Sequence, residues 1–129
     1  MKFGYTILYV ASVEDTLAFY EKAFGLPRGM VAPGGVYGEL VTGGTKLAFA
    51  DNGFVKGLHG VGFAPAAIAA PAPAMEIALV ADDVEAAFAK AVAAGAAAVK
   101  SPVKKPWGQL VGYVRDINGF IVELCSPMG

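Results

Sequence analysis

Glu123 is the residue whose type and placement first suggest chemistry. It stands in the alternating run FIVELC (120–125), where Phe120, Val122 and Leu124 take one face and Ile121, Glu123 and Cys125 the other. A carboxylate on a mostly apolar strand face is costly unless a metal, a basic partner or water satisfies it. A second acid, Glu76, opens the apolar run MEIALVA (75–81) and shares a face with Ala78 and Val80. If both carboxylates face one cavity, their repulsion raises the pKa of one of them and provides a general base near neutral pH without a metal. A metal would instead hold both ionised. Glu76 also fits a plainer reading, a strand-end carboxylate in water.

Aromatic and amide side chains supply candidate binding groups. Tyr5, Ile7 and Tyr9 share one face of YTILYV (5–10), leaving Leu8 and Val10 to pack beneath a helix. Tyr113 lies between Gln109 and Arg115 on one alternation of QLVGYVRD, and Trp107 in KPWGQ suits either stacking on a planar ligand or anchoring its turn. Arg115-Asp116 reads as a local structural pair beside a turn, and Glu39 in YGELV has no fixed register. His59, in a glycine-rich stretch, reads as a solvated histidine, and Cys125 as a small buried residue.

The elements that position these groups form a repeating pattern. YTILYV reads as a strand, Ser12 as the cap of a helix with Asp15 three residues on, and Gly25 with Pro27 as its stop. YGELVTGGTKLAFAD gives two short strands turning at Gly43-Gly44, and GMV supplies a candidate strand before them. MEIALVA then restarts the pattern, with Asp82 or Asp83 capping a helix from about 84 to 94 and Gly95 ending it. AAVKSP and a hairpin turning at Ile117-Asn118-Gly119 complete it. TILYVASVE (6–14) aligns with IALVADDVE (77–85), which places Tyr5 opposite Glu76. Residues 52–74, with three prolines and four glycines, lack a sustained period and read as a linker or lid between modules at about 1–51 and 75–129.

Composition narrows the classes of function. The chain has 129 residues, enough for one domain with its own core, and a formal charge of −1 from ten basic and eleven acidic residues. That balance excludes the basic footprint of a nucleic-acid binder and favours a small-molecule ligand. One cysteine rules out an intrachain disulfide, and one histidine rules out a zinc site built mainly from His and Cys. No stretch provides the roughly 18 to 20 apolar residues of a membrane span, and the N-terminus does not read as a signal peptide. The expected compartment is the cytoplasm.

Together, YTILYVASVEDTLAFYEKAFGL, ELVTGGTKLAFA, EIALVADDVEAAFAKAVAAGA and YVRDINGFIVEL resemble the vicinal oxygen chelate superfamily, which includes glyoxalase I, bleomycin-resistance proteins, fosfomycin-resistance enzymes and extradiol dioxygenases. The resemblance implies an α+β fold of two tandem βαβββ modules forming a cup-shaped, half-open mixed sheet with helices outside. It also implies a homodimer. In metal-dependent members the ligands come from the first strand and a late strand of each module. Matching motif to motif, these positions fall on Tyr5, on Glu76, on Glu123 and near Ala48 and Phe49, with no histidine among them. Two carboxylates and a phenol suit a hard divalent ion or no metal at all. The leading expectation is a protein that binds a small aromatic or amphipathic compound in a cup lined by Tyr5, Tyr9, Trp107, Gln109, Tyr113, Glu76 and Glu123. The alternative is a divalent-metal-dependent lyase or isomerase of the glyoxalase I type using Glu76 and Glu123.

Overall fold

A computed structural model of the chain describes residues 1–128. It divides into two compact units, one covering Met1–Ala66 and the other beginning at Ala67. The chain runs β1 (Tyr5–Val10), α1 (Val13–Phe24), β2 (Arg28–Val31), a 3-10 turn (Pro33–Gly35), β3 (Tyr37–Leu40), β4 (Lys46–Asp51) and α2 (Asn52–His59). It continues through β5 (Glu76–Val80), α3 (Val84–Ala93), β6 (Ala97–Lys104), β7 (Leu110–Arg115) and β8 (Ile121–Cys125). Each unit has an open four-stranded mixed sheet, ordered β1-β4-β3-β2 in the first and β5-β8-β7-β6 in the second. In both, the unit's first strand (β1 or β5), at one edge, runs parallel to its neighbour and the remaining pairs are antiparallel. The fold is α+β, built from two tandem modules of the same topology. Among the described residues no helix is long and apolar enough to cross a membrane.

In the first unit, the Ser12 hydroxyl accepts from the Asp15 amide at 3.1 Å, satisfying one of the free donors at the start of α1. Gly25, at φ 68°, takes the left-handed conformation that ends the helix. The buried stripe Val13, Leu17, Tyr20 and Ala23 then packs on the sheet, where the Tyr20 ring lies 4.9 Å from Phe49. This packing needs Gly38 on β3, because a Cβ there would stand 2.7 Å from Leu17 Cδ1. Gly112 on β7 plays the same part in the second unit, against Phe88 of α3 and Pro102. Both glycines therefore mark the sheet face that the helix covers. The opposite faces carry Tyr5, Ile7, Tyr9, Tyr37 and Glu39 in the first unit, and Glu76, Ile121, Glu123, Tyr113 and Arg115 in the second.

Residues 52–59, read from sequence as the start of an irregular linker or lid, form a helix instead. Asp51 ends β4 and at once caps α2, its carboxylate accepting from the Phe54 amide at 2.9 Å. A period is hard to see in NGFVKGLH because the helix is only 8 residues long and buries Val55 alone.

The turn between β7 and β8 is fixed from two sides. Asp116 Oδ1 accepts from the amides of Asn118 and Phe120, each at 2.9 Å. Arg115 donates to the Gly119 carbonyl from Nε at 2.8 Å. Gly119 has φ 92°, and a Cβ there would meet the Arg115 guanidinium at 2.5 Å and the Ala67 carbonyl oxygen at 2.8 Å. Both the backbone and the surrounding space exclude a side chain. Gly119→Ala should therefore cost about 2 kcal/mol or more and lower the melting temperature by roughly 5–10 °C. Gly62→Ala, which adds a Cβ in open space, should stay within about 0.5 kcal/mol. Equal melting of the two variants by circular dichroism would refute this account.

Candidate functional site

The pairing of β5, β8 and β7 brings the acids together. Ala78 lies opposite Glu123 across the parallel β5–β8 pair, and Tyr113 lies opposite Glu123 across the antiparallel β7–β8 pair. Residues opposite each other share a face, so Glu76, two before Ala78, joins Glu123 and Tyr113 on the face away from α3. The Tyr113 hydroxyl donates to Glu123 Oε1 at 3.2 Å, and Glu76 lies within hydrogen-bonding reach of Glu123.

Burial pushes the Glu76 carboxyl above its usual range, and the Glu123 charge and the hydrogen bond between them add to the effect. The repulsion expected from sequence is therefore present, but it ranks second to desolvation. Glu76 keeps solvent on one side, which screens the pair. Tyr113 and Cys125 are also pushed up, by burial first and then by hydrogen bonding to Glu123. The Cys125 thiol, buried at 4 % exposure, is thus held in its unreactive form.

A groove of about 680 Å3 lies over this face. Its wall is the loop Ala72–Met75, and its floor includes Glu76, Val99, Tyr113, Arg115 and Ile121. Glu123 stands just behind this lining, in contact with Tyr113. Arg115 holds the preceding loop in place, donating to Ile68 O at 3.1 Å, Ala70 O at 2.8 Å and Ala67 O at 3.4 Å in addition to Gly119 O. Its guanidinium therefore belongs to the wall and is not free to clamp a substrate. The sequence showed Arg115 as a structural residue but gave no sign of partners more than 40 positions away.

The remaining candidates lie elsewhere. Trp107 is 62 % exposed and donates from Nε1 to Gln109 Oε1 at 2.7 Å, while Gln109 Nε2 donates to Ser126 O at 2.8 Å. Neither residue lines the groove. Tyr5 and Tyr9 belong to the first unit. Tyr9 is occupied there, its ring 5.0 Å from Phe63 and 5.9 Å from His59, with the His59 Nε2 3.3 Å from its hydroxyl. The Val61 amide donates to His59 Nδ1 at 3.0 Å, which places the ring hydrogen on Nε2 and makes that nitrogen the donor to Tyr9. His59 is exposed, as a solvated histidine would be, yet it also packs on the Tyr9 ring.

A second polar cluster, not anticipated from sequence, sits on the first sheet. Glu39 is buried at 6 % exposure, accepts from the Tyr37 hydroxyl at 2.8 Å and pairs with Lys46 Nζ at 3.3 Å. Burial and then the bond to Glu39 push the Tyr37 hydroxyl well above its ordinary value. The signal was present as Tyr37-x-Glu39, two polar side chains on one strand face, but the register that adds Lys46 is not local information.

Neither cluster fits a divalent ion. Among the described residues no group of three His, Cys, Asp or Glu side chains is placed to hold one. The third donor beside Glu76 and Glu123 is a phenol held in its protonated form.

Two tandem modules with identical strand order define a protein of the glyoxalase-like fold class. The chain belongs to the Glyoxalase/Bleomycin resistance protein/Dioxygenase superfamily, which it matches over residues 2–124. Among solved structures it is similar to a glyoxalase-related enzyme from Fulvimarina pelagi, at 22% identity and TM-score 0.83, covering 98% of this chain and 88% of that one. It is also similar to TioX from Micromonospora sp. ML1, at 21% identity and TM-score 0.73, covering 98% of each chain. A glyoxalase/bleomycin resistance protein/dioxygenase from Nocardioides aligns at 18% identity and TM-score 0.72, covering 99% of this chain and 84% of that one. At these identities the likenesses establish the fold. Comparison with curated proteins gives no significant match.

The raised Glu76 pKa fixes the sign of a pH effect. The folded chain favours the protonated form, so this contribution is fully present below the unfolded pKa of about 4.3 and is lost as pH rises through the folded value. Glu76→Gln keeps an uncharged group at every pH. The variant should therefore melt above the wild type at pH 8 and level with it at pH 4. A variant that melts lower at pH 8 would show that Glu76 is held by a favourable charge partner instead.

Proposed function

We propose that this protein binds a small aromatic or amphipathic compound in the groove of its second unit. The observation that carries this reading is the groove itself, about 680 Å3 and lined mainly by Ala72, Pro73, Met75, Val99 and Ile121, with Glu76, Tyr113 and the backbone-engaged Arg115 as its polar points. Pockets that hold small organic molecules share this make-up, apolar walls that supply affinity and a few polar groups that orient the ligand. Superfamily membership supports the reading, since the family includes resistance proteins named for a drug. Stoichiometric binding of at least one aromatic dye in the micromolar range, measured by fluorescence titration, is the expected result. Ala74→Trp, which fills the groove from its wall loop, should abolish that signal. Binding unchanged by this variant, or no dye bound, would sink the proposal.

The competing reading is a divalent-metal-dependent lyase or isomerase acting through Glu76 and Glu123, and the adjacency of these two acids is what favours it. The donor set argues against it, as described above. Stoichiometric Ni, Zn, Fe or Mn in protein purified without added ions, lost in Glu123→Gln, would replace our proposal with this one.

We also propose a cytoplasmic homodimer. Phe3, Tyr5 and Ile7 lie at alternate positions along β1 and its approach and are 70 %, 54 % and 44 % exposed, a continuous apolar row that a second copy would cover. Light scattering should give twice the 13.2 kDa chain mass at micromolar concentration, and Ile7→Asp should shift the protein towards monomer. A monomeric wild type under these conditions would overturn the assignment.

A further inference from the structure

The two units carry the same sheet, so equivalent positions can be compared strand by strand. Tyr5 and Ile7 lie opposite Lys46 and Ala48 in the first unit; Glu76 and Ala78 lie opposite Ile121 and Glu123 in the second. Glu39 faces Ala48 across β3–β4, as Tyr113 faces Glu123 across β7–β8. Glu123 thus occupies the place of Ala48, Tyr113 that of Glu39, and Ile121 that of Lys46.

The first unit shows how this arrangement satisfies an acid. The Lys46 ammonium, 3.3 Å from the Glu39 carboxylate, and the Tyr37 hydroxyl, 2.8 Å away, together satisfy a side chain with 7% of its surface exposed. The second unit has two acids and a phenol, but where Lys46 stands in the first it has the hydrocarbon side chain of Ile121. Among the described residues no other cation takes that role. Arg115 directs its donors to backbone carbonyls, and Lys100, opposite Tyr113 on β6, is exposed and forms no ion pair among the described residues.

We infer that the groove of the second unit recognises an organic ammonium ion carried on an apolar or aromatic body, the ammonium seated at Glu76 with the Glu123 charge adjacent to it and the body against Ile121, Val99 and Tyr113. This rests on the proposed ligand-binding role of the groove and names its ligand class. Charge complementarity selects the occupant. An ammonium replaces the missing lysine, a neutral ligand leaves the acids as they are, and an anion meets the repulsion of two carboxylates.

Binding is coupled to a proton. Without ligand, the Glu76 carboxyl holds its proton above the ordinary carboxylate range, through burial first and the Glu123 charge second. An ammonium seated beside it opposes that shift and favours the ionised form. The other titratable or charged groups facing the pair are Tyr113 and Arg115 on β7, Cys125 on β8 and Lys100 on β6. Tyr113 and Cys125 are held protonated.

The test uses the full chain and three dyes of similar size, cationic acridine orange, uncharged Nile red and anionic anilinonaphthalene sulfonate, titrated by fluorescence from pH 5 to pH 8. The cation should bind about tenfold or more tightly than either other dye at pH 8. Its affinity should weaken as pH falls towards the Glu76 pKa, by no more than about tenfold per pH unit. Ile121→Lys installs the ammonium that the first unit already has. It should erase the preference for the cation, while an unchanged far-UV circular dichroism spectrum and melting temperature report that the variant is folded. Equal binding of all three dyes, or a cation affinity independent of pH and of Ile121→Lys, would overturn the ammonium assignment and leave the ligand-binding role standing. Failure of every dye to bind would overturn both.

Discussion

The Arg115 guanidinium is the contact on which the second unit depends. It collects the carbonyls of Ala67, Ile68, Ala70 and Gly119, tying a loop that precedes β5 to a turn that follows β7. Without a donor of that reach, four backbone acceptors would have to find water, and the loop would have little else to hold it. Because the same loop continues as Ala72–Met75, the contact also sets the wall of the groove. A cation that sequence alone presents as half of a local Arg-Asp pair is in fact the strut of the groove's wall. Asp116, its neighbour, works separately on the turn amides.

Much of the fold was legible because its signals are local. Strand alternation placed β1 at Tyr5–Val10, Ser12 and Gly25 marked the ends of α1, and Asn118-Gly119 located the last turn. The internal repeat was readable from TILYVASVE over IALVADDVE, and the sheets show it again as identical strand order. α2 escaped notice because its single buried residue leaves no periodic trace. In the site, Glu76, Glu123 and Tyr113 came together because alternation fixes faces and the hairpin fixes one register. Trp107 and Gln109 satisfy each other at a distance from the groove, and Tyr9 is engaged by Phe63 and His59, contacts that depend on tertiary packing. Glu39 was visible as an acid in a strand, yet its ammonium partner required the pairing of β3 with β4.

The two modules handle the acids on their sheets differently. In the first, charge is balanced internally, and a helix and a phenylalanine lie over the sheet at Tyr9. In the second, the acids stand together, a groove opens above them, and the nearest arginine is engaged by backbone. One strand order thus carries two different electrostatic arrangements.

Gly38 and Gly112 carry an evolutionary consequence. By letting a helix rest directly on the strands, each commits one sheet face to the hydrophobic core, where Val114, Val122 and Leu124 are almost wholly enclosed. The alternate positions on the same strands, among them Glu76, Tyr113 and Ile121, are released from that duty. Substitutions there can retune what is recognised without disturbing the packing that keeps the chain folded, so selection can explore new chemistry one side chain at a time.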